Sequence, residues 1–420
     1  MSKTDGLLLD TINSFTEERI VKLSFACVAI WITSPVIAMI LNIFKIDGYN
    51  FCGVWLTLLY FSGGFGLLFG FLFFLKRFSS IHFYKKDLIR YLEPFLLLSC
   101  LFIWSIFCTF FANEKRIAVY GYESFHDNLL VYLFYGGMIF CGMVLNNSRK
   151  YLLKTADAYL IVSSFSAAVA LMNNKITIAL CKNTLTITSG YESIYFETDH
   201  YAFCLVISLV VSVFFTLFRK NNFIRLLSFL MFVVFSVTLA LNASLSGIIA
   251  IGIFCCLISK WVLNNCRENA PIMIAIDCSF ILVLCGAFIA GKSFSFHEGL
   301  VNSWKNALEI VFDNPVVGIG PQNILTKAYN IYLQIAEYTG ILGLLLFVSS
   351  FIVSAKLVLD GKGDLEAFSL CIVSIVGCYL IVSFFSVTMF YTAPYFYFAV
   401  GVMFGHFLDF MPNSVNKNIG

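Results

Sequence analysis

Tyr201-Ala-Phe-Cys-Leu-Val-Ile-Ser-Leu-Val-Val-Ser-Val-Phe-Phe-Thr-Leu-Phe218 decides the fold. The run carries no charge and is apolar on every helical face. At 1.5 Å per residue, about 20 such residues cross a hydrocarbon core of roughly 30 Å. Five runs of the same kind precede it: Val21–Phe44, Phe51–Leu75, Leu92–Ala112, Leu129–Leu145 and Thr155–Met172. Six follow: Ile224–Leu241, Gly247–Leu263, Ile272–Ala290, Ile331–Val353, Ala367–Val387 and Tyr395–Phe410. Barrel strands alternate in hydropathy and these runs do not, so the fold class is all-α integral membrane with about 12 transmembrane helices.

Composition agrees. With 60% hydrophobic and 12% charged residues and a mean hydropathy of +0.88, a chain of 420 residues lacks the polar surface a soluble protein needs. The net charge of +3 is small and is accounted for by basic loops, which excludes nucleic acid as a partner. Most of the 14 cysteines fall inside the runs, where a thiol is a small hydrophobe. A disulfide framework or cysteine metal site is not indicated, and no cofactor or metal is expected.

Lys and Arg set the orientation. With a cytoplasmic N-terminus, every inside loop is basic: Lys76, Arg77, Lys85, Lys86 and Arg90; Arg149, Lys150 and Lys154; Arg219 and Lys220; Lys260 and Arg267; Lys356 and Lys362. An even number of spans returns the C-terminus to the same side. The first twenty residues are polar and the first run is too long for an h-region, so no cleavable signal peptide is expected.

Three outside segments are then long: Asn113–Asn128, Asn173–His200 and 291–330, the last leading into the tenth span. They gather Lys115, Arg116, His126, Asp127, Lys182, Glu197, Asp199, His200, Lys292, His297, Trp304, Lys305 and Lys327. Such a mixture of acids, bases and aromatics on one side suits a site facing an extracytoplasmic substrate, although charge also belongs in any solvated loop. Gly286-Ala-Phe-Ile-Ala-Gly291-Lys292-Ser293 matches the letters of a phosphate-binding loop but lacks its strand–loop–helix setting. Gly66 and Gly70, four apart, speak for close helix packing. Asp157, Asp277, His406 and Asp409 sit near the cytoplasmic ends of spans, and no paired acids or internal repeat mark an ion-coupled transporter.

The third segment reads Asn302-Ser-Trp304-Lys-Asn-Ala-Leu-Glu-Ile-Val-Phe-Asp-Asn314-Pro315-Val-Val-Gly318-Ile-Gly320-Pro321, then Ala328-Tyr329-Asn330-Ile-Tyr332-Leu333-Gln334-Ile-Ala-Glu337-Tyr-Thr-Gly340-Ile-Leu-Gly343. It resembles the signature of the O-antigen ligase and polymerase superfamily: a Trp-containing amphipathic helix, a P-x-x-G-x-G turn, then an Ala-His-Asn-x-Tyr-Leu-Gln segment opening a span. Phe196-Glu-Thr-Asp199-His200-Tyr201 and Leu241-Asn242-Ala-Ser-Leu-Ser-Gly247 resemble further segments of polysaccharide-polymerase relatives.

The resemblance implies metal-independent glycosyl transfer on the outer face of the bacterial cytoplasmic membrane. The donor would be an undecaprenyl-diphosphate-linked oligosaccharide, with membrane lipids around it and a polysaccharide chain-length regulator as a further partner. Such chemistry needs cations for the diphosphate and a base for the acceptor hydroxyl. The family histidine position holds Tyr329, a Ser-Arg-Gly turn is replaced by Ser244-Leu-Ser246-Gly247, and the position four before Trp304 is Leu300. These departures favour polymerase over ligase, with an inactive member as a further reading.

The base is accordingly placed on His200, with Glu197, Glu337 and Tyr329 behind it. The diphosphate falls to Arg116, Lys115, Lys182, Lys292, Lys305 and Lys327. Sugar contacts fall to Trp304, Asn330 and Gln334. Each has an alternative: Tyr329 in an aromatic belt, Trp304 on a membrane-surface helix, and Asn330 and Gln334 satisfying each other. A transporter or flippase of lipid-linked glycans is the alternative of another class.

Overall fold

A computed structural model describes residues 16–43, 51–80, 85–121, 127–172, 193–195, 198–294, 299–322, 327–360, 367–386 and 390–409. Helices dominate and no strand occurs among the described residues. In chain order they are α1 (Glu17–Ile43), α2 (Phe51–Ser80), α3 (Lys85–Phe111), the short α4 (Lys115–Tyr120), α5 (Leu129–Asn146), α6 (Arg149–Met172), α7 (Thr198–Phe218), α8 (Asn222–Asn242), α9 (Leu245–Asn265), α10 (Ala270–Ile289), α11 (Leu300–Asp313), α12 (Ile331–Asp360), α13 (Ala367–Val382) and α14 (Ala393–Asp409).

Ten of these are long and apolar enough to cross a membrane. The eleventh and twelfth apolar runs form α13 and α14, which are shorter. The chain is a multi-pass membrane protein. Several helices extend past their apolar runs: α6 begins at Arg149 and α3 at Lys85, because helical hydrogen bonding continues into the polar zone where charged side chains are solvated.

The opening stretch is α7, and its uniform apolarity has a specific cause. It is enclosed by other helices along nearly its whole length, so no face needs to differ from another. Peripheral helices instead turn large apolar side chains outward: Phe223, Leu282, Phe288 and Ile289 are all exposed, as a lipid-facing surface requires. Glycines permit the closest crossing. A Cβ on Gly66 would collide with the Gly137 carbonyl and Cys141 Sγ, and one on Gly70 with the Phe140 ring. The four-residue glycine spacing of α2 is thus a seam against α5.

The largest departure from a plain bundle is inside α12. At Gly340, with φ 71° and ψ −176°, the helix breaks and then resumes. The freed backbone groups are taken up by the segment before it. Ile319 N–H donates to the Glu337 carbonyl at 2.8 Å, Gly320 N–H to the Tyr338 carbonyl at 3.1 Å, and Ile341 N–H to the Pro315 carbonyl at 2.8 Å. The Trp104 indole from α3 donates to the Thr339 carbonyl at 2.8 Å. Irregular backbone at membrane depth persists only when its polar groups are satisfied by protein, and here they are.

Candidate functional site

The break in α12 is built from the residues that carry the sequence signature. Gly318 (φ 63°) and Gly340 (φ 71°) occupy left-handed backbone. A Cβ on Gly318 would lie 2.6 Å from the Tyr338 carbonyl carbon and 2.7 Å from Thr339 N, and one on Gly340 would meet Val316 and the Pro315 carbonyl. Only glycine meets both demands, conformation and approach. The P-x-x-G-x-G turn and the Glu-x-x-Gly stretch are therefore two halves of one lock.

The lock fixes the first half of α12, Ile331–Thr339, so that Gln334 meets Asp127 just ahead of α5. Asn330 caps that half: its Oδ1 accepts from the N–H groups of Tyr332 at 2.9 Å and Leu333 at 3.1 Å. One turn on, the Gln334 side-chain amide donates to Asp127 Oδ2, and it lies 3.4 Å from the Tyr338 hydroxyl. Asp127 N–H in turn donates to Gln322 Oε1 at 3.0 Å. Asp127, Gln334, Glu337 and Gln322 are all at most 4% exposed. Among the described residues no ion pair reaches Asp127 or Glu337.

Burial is the largest influence on Asp127 and pushes its carboxyl from the usual 3.8 up to about 7. The hydroxyls of Tyr338 and Tyr132, the Gln334 amide and the charge of Lys327 all act in the opposite direction and favour the ionised form. A buried carboxyl poised near neutrality, with a cation in range, has the properties of a general base.

Two residues flanking the cluster hold unusual backbone. Gln322 (φ 52°) and Tyr329 (φ 48°) are left-handed without being glycine, a conformation disfavoured by about 1–2 kcal/mol. Each delivers a contact: Gln322 receives Asp127, and the Tyr329 carbonyl accepts the Trp304 indole at 3.3 Å. Trp304 also meets the rings of Phe384 at 5.4 Å and Phe385 at 6.2 Å. It pins the amphipathic α11 to the entry of α12. On the outward side of α11, Val301, Leu308 and Phe312 are exposed, as in a helix lying on a membrane surface.

His200 belongs to a second group at the same end of the bundle. It is fully enclosed in the first turn of α7, with its ring 5.8 Å from Tyr391. Tyr391 stacks edge-on against Trp55 of α2 at 4.8 Å. The neighbouring Asp199 accepts from the Ser244 hydroxyl at 3.2 Å, and Ser244 pairs with Ser246 at 2.9 Å. Ser244 also caps α9. The Leu-Asn-Ala-Ser-Leu-Ser-Gly turn and the segment entering α7 thus meet.

Of the residues selected from sequence, Gln334 joins the Asp127 group, Lys327 acts on Asp127 through its charge, Glu337 lies on the same half-helix, and Trp304 bonds to the Tyr329 carbonyl. Asn330 and Gln334 do not use their side chains on one another: the first is a cap and the second serves Asp127. Lys115 and Arg116 are exposed on α4, Lys305 is exposed on α11, and Lys292 is half-buried just past α10. Glu197 and Lys182 lie outside the described residues. Sequence reasoning did not select Asp127, Gln322 or Tyr338 as site residues. Asp127-Asn128 ahead of an apolar run looks like a helix start, and Asn128 is indeed the α5 cap, its Oδ1 accepting from Val131 N–H at 3.1 Å. No group of three or more metal-ligating side chains is assembled among the described residues.

No protein-family model matches the chain, and no curated protein matches it.

Proposed function

We propose that the chain is a membrane glycosyltransferase that joins undecaprenyl-diphosphate-linked oligosaccharide repeat units into a surface polysaccharide, on the outer face of a bacterial cytoplasmic membrane. The carrying observation is the lock between Pro315–Gly320 and the break at Gly340. The residues of the polymerase-like signature build one feature, and that feature presents Gln334 to Asp127.

In this reading Asp127 replaces His200 as the base. An acceptor sugar hydroxyl gives its proton to the Asp127 carboxylate as its oxygen bonds to the anomeric carbon of the donor. The bond from that carbon to the diphosphate breaks, and the electron pair leaves with the undecaprenyl diphosphate. Lys327 meets the charge that develops there. Gln334 holds the carboxylate by its second oxygen, and Trp304 supplies an aromatic face beside the entry to α12.

The test is complementation of a deletion strain with Asp127→Asn and with Lys327→Gln at matched membrane abundance. Both are expected to shorten the polysaccharide, Asp127→Asn to single repeats. Wild-type chain length with Asp127→Asn would end this assignment.

A further inference from the structure

A cavity lies at the opposite end of the molecule from Asp127. It has a volume of about 610 Å³ and runs between α1, α5, α6, α7, α13 and α14. Its shaft is apolar, walled by residues such as Ile207, Val211, Phe214, Ile372 and Ala399, and Tyr159 and Tyr395 also line it. Its rim is cationic: Arg149, Arg219 and Lys220, with Asn221 at the start of α8.

Three observations say what fits. The rim combines three positive charges with the N-terminus of α8, which attract an anion. Arg219 spends one terminal nitrogen on Asp157 at 2.7 Å and lies over the Phe215 ring at 4.1 Å, yet its Nε is buried without a hydrogen-bond partner. The cavity follows α6 from Arg149 to Tyr159, ten steps along the helix or about 15 Å at 1.5 Å per residue. That depth equals half of a hydrocarbon core of roughly 30 Å, one leaflet.

We propose that this cavity holds one anionic phospholipid, its phosphate on Arg149, Arg219 and Lys220 and an acyl chain in the shaft. A polyprenyl carrier shares the head chemistry, but its much longer tail exceeds the shaft. The site is independent of the polymerase reading, since it uses none of the residues around Asp127.

Native mass spectrometry of the full chain, exchanged into equimolar phosphatidylglycerol and phosphatidylcholine, tests it. Wild type is expected to retain phosphatidylglycerol with a preference of roughly tenfold, given the attraction each basic residue exerts on an anionic lipid. Arg149→Gln with Lys220→Gln, both exposed positions, is expected to erase the preference. Ala156→Phe, which fills the shaft, is expected to reduce retention of both lipids. Equal retention by wild type, or an unchanged preference in the double variant, overturns the proposal. Displacement of phosphatidylglycerol by equimolar undecaprenyl phosphate overturns it in favour of the carrier lipid.

Discussion

Gln334 donates its side-chain amide to Asp127 across 207 residues of sequence, and both are buried. The pair exists because α12 is held in register by a loop threaded into its own break. The local turn chemistry, the placement of Gln334 beside Asp127 and the ionisation of Asp127 are therefore linked, and each link can be broken separately.

The lock depends on two glycines. Gly340→Ala and Gly318→Ala each place a Cβ in left-handed backbone and against a neighbouring main chain. Each is expected to destabilise the protein by more than the ~1–2 kcal/mol of the conformation alone. Gly286→Ala, helical and with nothing within 4 Å of its would-be Cβ, is expected to be neutral or slightly stabilising. Thermal unfolding in detergent measures all three, and an equal effect at the three positions would refute the lock.

Removing the amide from Asp127 leaves a buried carboxyl short of a donor. Gln334→Ala is expected to cost about 1–3 kcal/mol. Gln334→Glu sets two carboxyls side by side, so one must keep its proton. Its deficit is expected to grow as pH rises. Denaturant titrations at two pH values distinguish the substitutions.

Asp127 gives the pH dependence a definite sign. As a base it acts ionised, so chain extension is expected to rise with pH through about 7, the value to which burial pushes it. Stability runs the other way. With a folded pKa raised above the usual 3.8, the contribution of the protonated group is full below about 3.8 and is lost as pH climbs through about 7. Asp127→Asn is expected to flatten this stability profile between pH 4 and 7, which unfolding measurements across that window would check.

Cations sort by position. Lys327 stabilises the ionised form of Asp127, whereas Lys115, Arg116 and Lys305 are exposed on α4 and α11. Lys327→Gln is expected to shorten the polysaccharide and Arg116→Ala to leave it near wild type. The reverse pattern, scored by gel ladder at matched abundance, would return the diphosphate to Arg116.

Trp304 separates anchoring from sugar stacking. Trp304→Phe keeps ring packing on Phe384 and Phe385 but loses the indole bond to Tyr329, a loss of about 1 kcal/mol. Trp304→Ala loses both and is expected to lower the melting temperature further. A melting temperature unchanged in Trp304→Ala would show that α11 is held by other contacts.

Hydropathy alone marks the helices, because a spanning segment must be apolar over its length whatever it packs against. It misses the break at Gly340, because the hydrogen bonds that satisfy the carbonyls of Glu337, Tyr338 and Thr339 leave no trace in residue polarity. The signature around Pro315, Gly318 and Gly340 is visible in sequence, but its meaning as one interlocked turn needs the two segments side by side. Asp127 was legible as a loop acid and no more, since its partner is distant in sequence and its shift comes from enclosure. His200 was legible as a histidine at a span entry, while its enclosure beside Tyr391 was not.

The most direct measurement is the surface polysaccharide of a strain lacking this gene. Polymerase activity requires that the deletion leave single repeat units capping the surface, restored to full length by the wild-type chain and not by Asp127→Asn. Full-length polymer retained on its lipid carrier would indicate a ligase, and lipid-linked units accumulating inside the cell a transporter; either result would contradict the polymerase assignment.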